Sequence, residues 1–190
     1  LVVGDAPVEL ELAGGRLVRT MGRHPVAVLT ALARRDNDLL KELACTALAG
    51  LEVDAVERRG ETFAREVRAA WMRPDTLARL DRHRELGHAV VLVSASLDPY
   101  LRPLGTLLGV DDVLCTHLEA DAAGRLTGRL DGPNCRGPEK ERRLRAWLAD
   151  RGLVDVTLWA YGDSRGDREL LALADRPELV RGRVIGPEPC

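Results

Sequence analysis

The stretch Ala89-Val90-Val91-Leu92-Val93 constrains this chain more than any other. It is wholly apolar, rich in β-branched residues and followed at once by Ser94-Ala95-Ser96. A strand with one wet face would alternate apolar and polar residues. This one does not, which predicts a strand covered on both faces, as in a parallel sheet flanked by helices, with a loop over Ser94-Ala95-Ser96. Its surroundings agree. Pro74 opens a helical pattern carrying Leu77, Leu80 and Leu86, and Gly87 ends it. Asp98-Pro99 predicts the cap of a helix that ends near Gly109. Residues 112–119 read as a second strand, and Ala122-Ala123-Gly124 turns the chain back along 125–130 as a hairpin. Gly137-Pro138 starts a helix with Leu144, Trp147 and Leu148 on one face and Gly152 past its end. Residues 156–161 form the third strand, 167–174 the next helix, and Val184-Ile185 a short final strand.

Strands alternating with helices imply crossover connections, so residues 73–190 predict an α/β core with a doubly wound, Rossmann-like parallel sheet. Before Pro74 the pattern differs. From Pro25 to about Trp71, apolar residues recur at helical spacing, as in Val26, Leu29 and Leu32 or Val53, Val56, Phe63 and Val67. No strand pattern interrupts them, which makes this stretch a candidate helical insert. Residues 1–15, broken at Gly4 and at Gly14-Gly15, are a candidate remnant of a first core strand.

Composition narrows the function. The 190 residues suit one domain, or one with a small insert, and the 45% hydrophobic and 31% charged content is globular. The formal charge of -2 argues against a nucleic-acid partner, and no apolar run reaches the roughly 20 residues of a membrane span. The 4 cysteines lie far apart with no Cys-x-x-Cys pair, which predicts neither a zinc cluster nor a disulfide framework, but a reducing, cytoplasmic compartment. Among 28 basic residues the only lysines are Lys41 and Lys140.

In an open parallel sheet, ligands bind where the carboxyl ends of strands meet helix N-termini. Ser94 follows the first buried strand, Asp163 the third, and Lys140 lies in the first turn of a helix entering the sheet. A serine hydroxyl with nearby backbone N–H groups, including that of Ala95, can bind phosphate oxygens. A lysine offsets the charge of a phosphoryl group and its transition state. Asp163 and Asp167, across a turn into a helix, suit a divalent cation, magnesium (Mg2+) above all. Each residue alone has a plainer reading: Ser94 as a helix cap, Asp163 as turn chemistry, Lys140 as solvated surface. Their order and strand placement together argue for a site.

That combination resembles the haloacid dehalogenase superfamily of phosphohydrolases, in its phosphoserine-phosphatase-like branch. The superfamily's second motif, a strand ending in Ser or Thr, matches Val90 to Ser94; the third, a lysine opening a helix, matches Lys140. The fourth, Gly-Asp-Ser-x-x-Asp, matches Gly162 to Asp167. Residues 127–135 look like the hairpin and Gly-Pro turn that precede the lysine in this branch, and residues 16–72 look like the helical cap that it inserts between its first and second motifs. The resemblance implies magnesium-dependent hydrolysis of a small, phosphoserine-like phosphomonoester. Ser94 and Lys140 would hold the phosphoryl group, Asp163 the metal, and Asp167 the metal's water shell or the orientation of Lys140.

The first motif, Asp-x-Asp-x-Thr, supplies the family's nucleophile and its general acid, and this chain does not contain it. The nearby Gly4-Asp5-Ala6-Pro7 puts proline where the second carboxylate belongs, and proline cannot transfer a proton. The chain opens on Leu1 rather than Met, and the expectation is a parent phosphatase represented by an N-terminally truncated sequence. The alternative is a catalytically inactive phosphate-binding or regulatory module with the same core. A dinucleotide-binding protein is disfavoured, since no Gly-x-Gly-x-x-Gly follows a strand pattern.

Overall fold

The computed structural model describes residues 37–180, together with Val184 and Gly186. The expected first core strand within residues 1–15, and the helical pattern around Val26, Leu29 and Leu32, lie outside the described residues. In chain order the elements are α1 (Asn37–Thr46), α2 (Val53–Ala70), α3 (Pro74–Glu85), β1 (Val91–Leu97), α4 (Asp98–Leu108), β2 (Asp112–Ala120) and β3 (Leu126–Asp131). They continue with α5 (Pro138–Asp150), β4 (Trp159–Gly162), a 3-10 turn (Arg165–Asp167), α6 (Arg168–Leu173) and β5 (Arg176–Leu179).

The apolar run does form a strand covered on both faces. Leu92 and Leu97 of β1 and Cys115 of β2 pack with α2, α3 and α4, through Phe63, Val67, Leu80, Tyr100 and Leu104. Val91, Val93 and Leu114 point the other way, onto Leu144 and Trp147 of α5 and Leu170 of α6. Successive residues of a strand face opposite sides, so one unbroken apolar run feeds two cores at once.

β1 pairs with β2 in parallel, and β2 with β3 as the predicted antiparallel hairpin. Asp121 holds the hairpin turn, its carboxylate accepting from the N–H groups of Ala123 at 2.9 Å and Arg125 at 3.0 Å. β4 pairs with β5 in parallel, and among the described residues no ladder joins β1 to β4. Val91 and Val93 on one side and Ala160 and Tyr161 on the other line a cavity of about 580 Å³.

Four expectations need correction. The 25–71 stretch is not an uninterrupted run of helix: Gly50 (φ 75°) breaks it, and Glu52 bridges to Arg125 beyond the hairpin turn. β1 does not stop before Ser94 but continues to Leu97, with its register against β2 shifted between Val93 and Leu97. Asp98 does not cap α4; its carboxylate accepts from His117 Nδ1 at 3.1 Å and the Leu118 N–H at 3.3 Å, tying the helix start to β2. Among the described residues the last strand is Arg176–Leu179; of the expected Val184-Ile185, Val184 belongs to no strand and Ile185 lies outside the described residues. Pro177 and two charged residues hid β5, which sits at an edge where proline costs no ladder bond.

No helix among the described residues is long and apolar enough to cross a membrane, and Cys45, Cys115 and Cys135 are free thiols.

Candidate active site

The rim at the carboxyl ends of β1 and β4 is assembled by local backbone chemistry. Gly162 closes β4, and Ser164 caps the 3-10 turn reciprocally with Asp167. Asp167 Oδ2 accepts from Ser164 Oγ at 2.7 Å, from the Ser164 N–H at 3.0 Å and from the Asp163 N–H at 3.3 Å. Gly162 is obligatory here, because a Cβ would lie 2.6 Å from the Asp167 Cβ.

Lys140 meets this turn from α5. Pro138 sits at the first helical position, and Gly137 takes φ 55° before it, a conformation that disfavours side chains. The Gly137 N–H donates to the Gly166 carbonyl at 3.0 Å, which locks the start of α5 against the turn. Lys140 Nζ then donates to Asp167 Oδ1 at 2.5 Å, with both side chains buried. Burial alone would raise the Asp167 pKa. The Lys140 ammonium and the Ser164 donors outweigh it and hold the carboxyl below its ordinary range.

Ser94 lies in β1 where the ladder slips. Its buried Oγ accepts the Ser96 N–H at 3.2 Å, a local bond of the kind that draws serine-rich backbone out of regular pairing. The Ser94 N–H faces the Cys135 thiol, which also feels the positive charges of Arg143 and Lys140. Burial dominates at that thiol and pushes its pKa up, so Cys135 stays protonated beside the phosphate-binding candidates. The carbonyl of Ala95 is taken by Thr116 Oγ1 at 2.9 Å and by Lys41 Nζ.

Lys140 and Asp167 are thus in contact and Asp163 is joined to them through its backbone, while Ser94 is linked through its own N–H to Cys135. The half-buried Asp163 carboxylate lies near the Arg73 guanidinium, whose charge is held chiefly by the hydrogen-bonded Asp75 and to a smaller degree by Asp163. Sequence reasoning missed Lys41, Thr116, Asn134 and Arg73. Lys41 had one signal, being one of two lysines; Arg73 had none in so arginine-rich a chain. Among the described residues no three His, Cys, Asp or Glu side chains gather as a metal cluster.

Known proteins share this arrangement of elements. The profile of haloacid dehalogenase-like hydrolases matches residues 8–172. Protein CicA of Caulobacter vibrioides is 38% identical over 139 residues, which cover 72% of this chain and 61% of that protein. The histidinol-phosphatase of Neisseria meningitidis serogroup C is 33% identical over 104 residues, 52% of this chain and 46% of its own length. The chain therefore spans about half to three-fifths of the length of these relatives. In structure it resembles a Vibrio cholerae protein described as a probable phosphoserine phosphatase, with 19% identity and a TM-score of 0.63 over 90% of this chain and 51% of that one. With the profile covering most of its length and the lysine of the third motif paired with the last aspartate of the fourth, the chain belongs to the haloacid dehalogenase-like hydrolases.

Proposed function

We propose that this rim binds the phosphoryl group of a small phosphomonoester, and that the protein hydrolyses it with magnesium. The observation that carries the reading is the buried Lys140–Asp167 pair, beside the turn that carries Asp163. A buried ammonium held by a single carboxylate oxygen keeps donor capacity for a phosphoryl oxygen, and its charge offsets the charge that develops as phosphate leaves. The Ser94 hydroxyl, already accepting from the Ser96 N–H, has its own proton to give to a second oxygen.

The donors at the rim suit magnesium in kind, since they are hard oxygens, and magnesium needs few protein ligands beside water and substrate phosphate. Asp163 would hold it directly. Asp167, with both oxygens engaged by Lys140 and Ser164, serves better to orient the lysine than to ligate metal. The ion would supply charge neutralisation at the phosphoryl group. By family resemblance the nucleophile would be an aspartate of the first motif, which the described residues do not include. The histidinol-phosphatase relative and the phosphoserine-phosphatase-like fold support phosphate-ester chemistry, and a phosphoserine-like substrate in a cytoplasmic setting is part of the proposal. So is the division into a cap over 16–72 and a core over 73–190.

The test is phosphate release from p-nitrophenyl phosphate by the natural protein, with and without magnesium. The expected outcome is magnesium-dependent turnover that falls at least about 100-fold in Asp163→Asn, as loss of a charge-stabilising group does. Equal turnover by that variant overturns the metal role. The missing first motif favours a second reading, a phosphate-binding module without catalysis. Magnesium-dependent phosphate binding with no turnover would establish it instead.

A further inference from the structure

We infer that α1 sets the phosphate-binding turn through a closed ring of polar contacts, with Lys41 as a positioning residue for Ser94. This rests on the phosphate-site reading above. Asp38 and Lys41 stand three positions apart on α1 and so share one helix face. Lys41 Nζ donates to the Ala95 carbonyl. Thr116 Oγ1 lies within donating reach of that same carbonyl, at 2.9 Å, and of Asn134 Oδ1, at 2.8 Å, while accepting the Cys135 N–H at 3.0 Å. Asn134 Nδ2 donates to Asp38 Oδ1 at 2.5 Å and returns the ring to α1.

The carboxylate can only accept, so Asp38 dictates which end of the Asn134 amide faces Thr116. The peptide between Ala95 and Ser96 is then gripped from both sides. Lys41 holds its carbonyl, the single hydroxyl proton of Thr116 is shared between that carbonyl and Asn134 Oδ1, and the N–H of the peptide donates to Ser94 Oγ at 3.2 Å. That last bond occupies a lone pair of the serine and turns its proton away from the peptide, toward the rim. An ammonium polarising the carbonyl also makes the N–H of the same peptide a better donor. The ring joins the helix, the Ser94 turn, β2 and the loop that leads into α5, so docking of α1 is felt at the phosphate site.

The experiment measures inorganic phosphate binding to this chain by titration calorimetry, with thermal unfolding of each variant alongside. Lys41→Met is expected to weaken binding about 5-fold, the effect of one hydrogen bond, and Lys41→Arg to restore it to within about 2-fold. In a Ser94→Ala background Lys41→Met is expected to change nothing further, because its effect passes through the serine. Asp38→Asn, at an exposed position that threatens folding little, is expected to weaken binding about 2-fold by loosening the charge-assisted bond that joins Asn134 to α1. An undiminished loss on adding Lys41→Met to Ser94→Ala would overturn the inference and make Lys41 an independent contact. So would wild-type affinity in both Lys41→Met and Asp38→Asn. Wild-type affinity in Ser94→Ala and Lys140→Met would instead overturn the phosphate-site reading, and no binding by the unaltered chain would do the same.

Discussion

Asp167 shows how much one side chain of this rim is asked to do. One oxygen neutralises Lys140 and the other caps the turn that presents Asp163. Removing its charge leaves a buried ammonium without a counter-ion, and breaking one side of a buried pair typically costs about 3–5 kcal/mol. Asp167→Asn is therefore expected to lower the unfolding free energy, measured by urea titration, by an amount of that order. A drop under about 1 kcal/mol would mean that Lys140 finds another partner or reaches water, in contrast to its burial here.

At the scale of elements, the strand run was legible because an unbroken apolar stretch has one economical use, and the ends of α3, α4 and α5 were legible from Pro74, Gly109 and Gly137-Pro138. β5 and the slip in β1 were not. An edge strand needs no apolar pattern, and a slipped register depends on the partner strand rather than on local preference. The contact of α2 with α4 is a further case. Gly60 reads as a weak point inside a helix, yet a Cβ there would stand 2.1 Å from the Pro99 carbonyl oxygen. Only a glycine lets the two backbones approach so closely. Gly60→Ala, which raises helix propensity, is nonetheless expected to destabilise the protein by about 1–3 kcal/mol, as overpacking does. A rise in Tm would show that α2 can shift without loss.

At the scale of the molecule, the two sheet parts are held together by helices rather than by a ladder among the described residues. α3 supplies one joint. Arg79 Nη1 donates to Tyr161 Oη at 2.8 Å and pairs with Glu178 at 3.2 Å. Tyr161 Oη also lies 2.8 Å from His83 Nε2, and His83 Nδ1 lies 2.9 Å from His88 Nδ1. With the tyrosine donating to Nε2, a neutral His83 carries its proton on Nδ1 and completes the chain to His88. Burial, then His88, then Arg79 push the His83 pKa from 6.5 down to about 4. The unfolded chain takes up that proton below pH 6.5 while the native state refuses it. The contribution of this joint is thus complete above pH 6.5 and fades as pH falls toward 4. His83→Gln is expected to flatten the decline in urea midpoint between pH 7 and pH 5. An equally steep decline in the variant would place the titrating group elsewhere.

The sequence by itself determined the layered α/β architecture and singled out Ser94, Lys140, Asp163 and Asp167 as candidates. Apolar runs, helix-starting prolines and the motifs are all local patterns, and local patterns survive in one dimension. Only the tertiary structure decided what those residues touch. Lys41 and Ala95 are 54 positions apart and Asp38 and Asn134 are 96, separations that no periodicity records. Their ring exists because α1 and the loop before α5 pack beside the same turn of β1, where buried polar groups must find partners wherever the fold brings them.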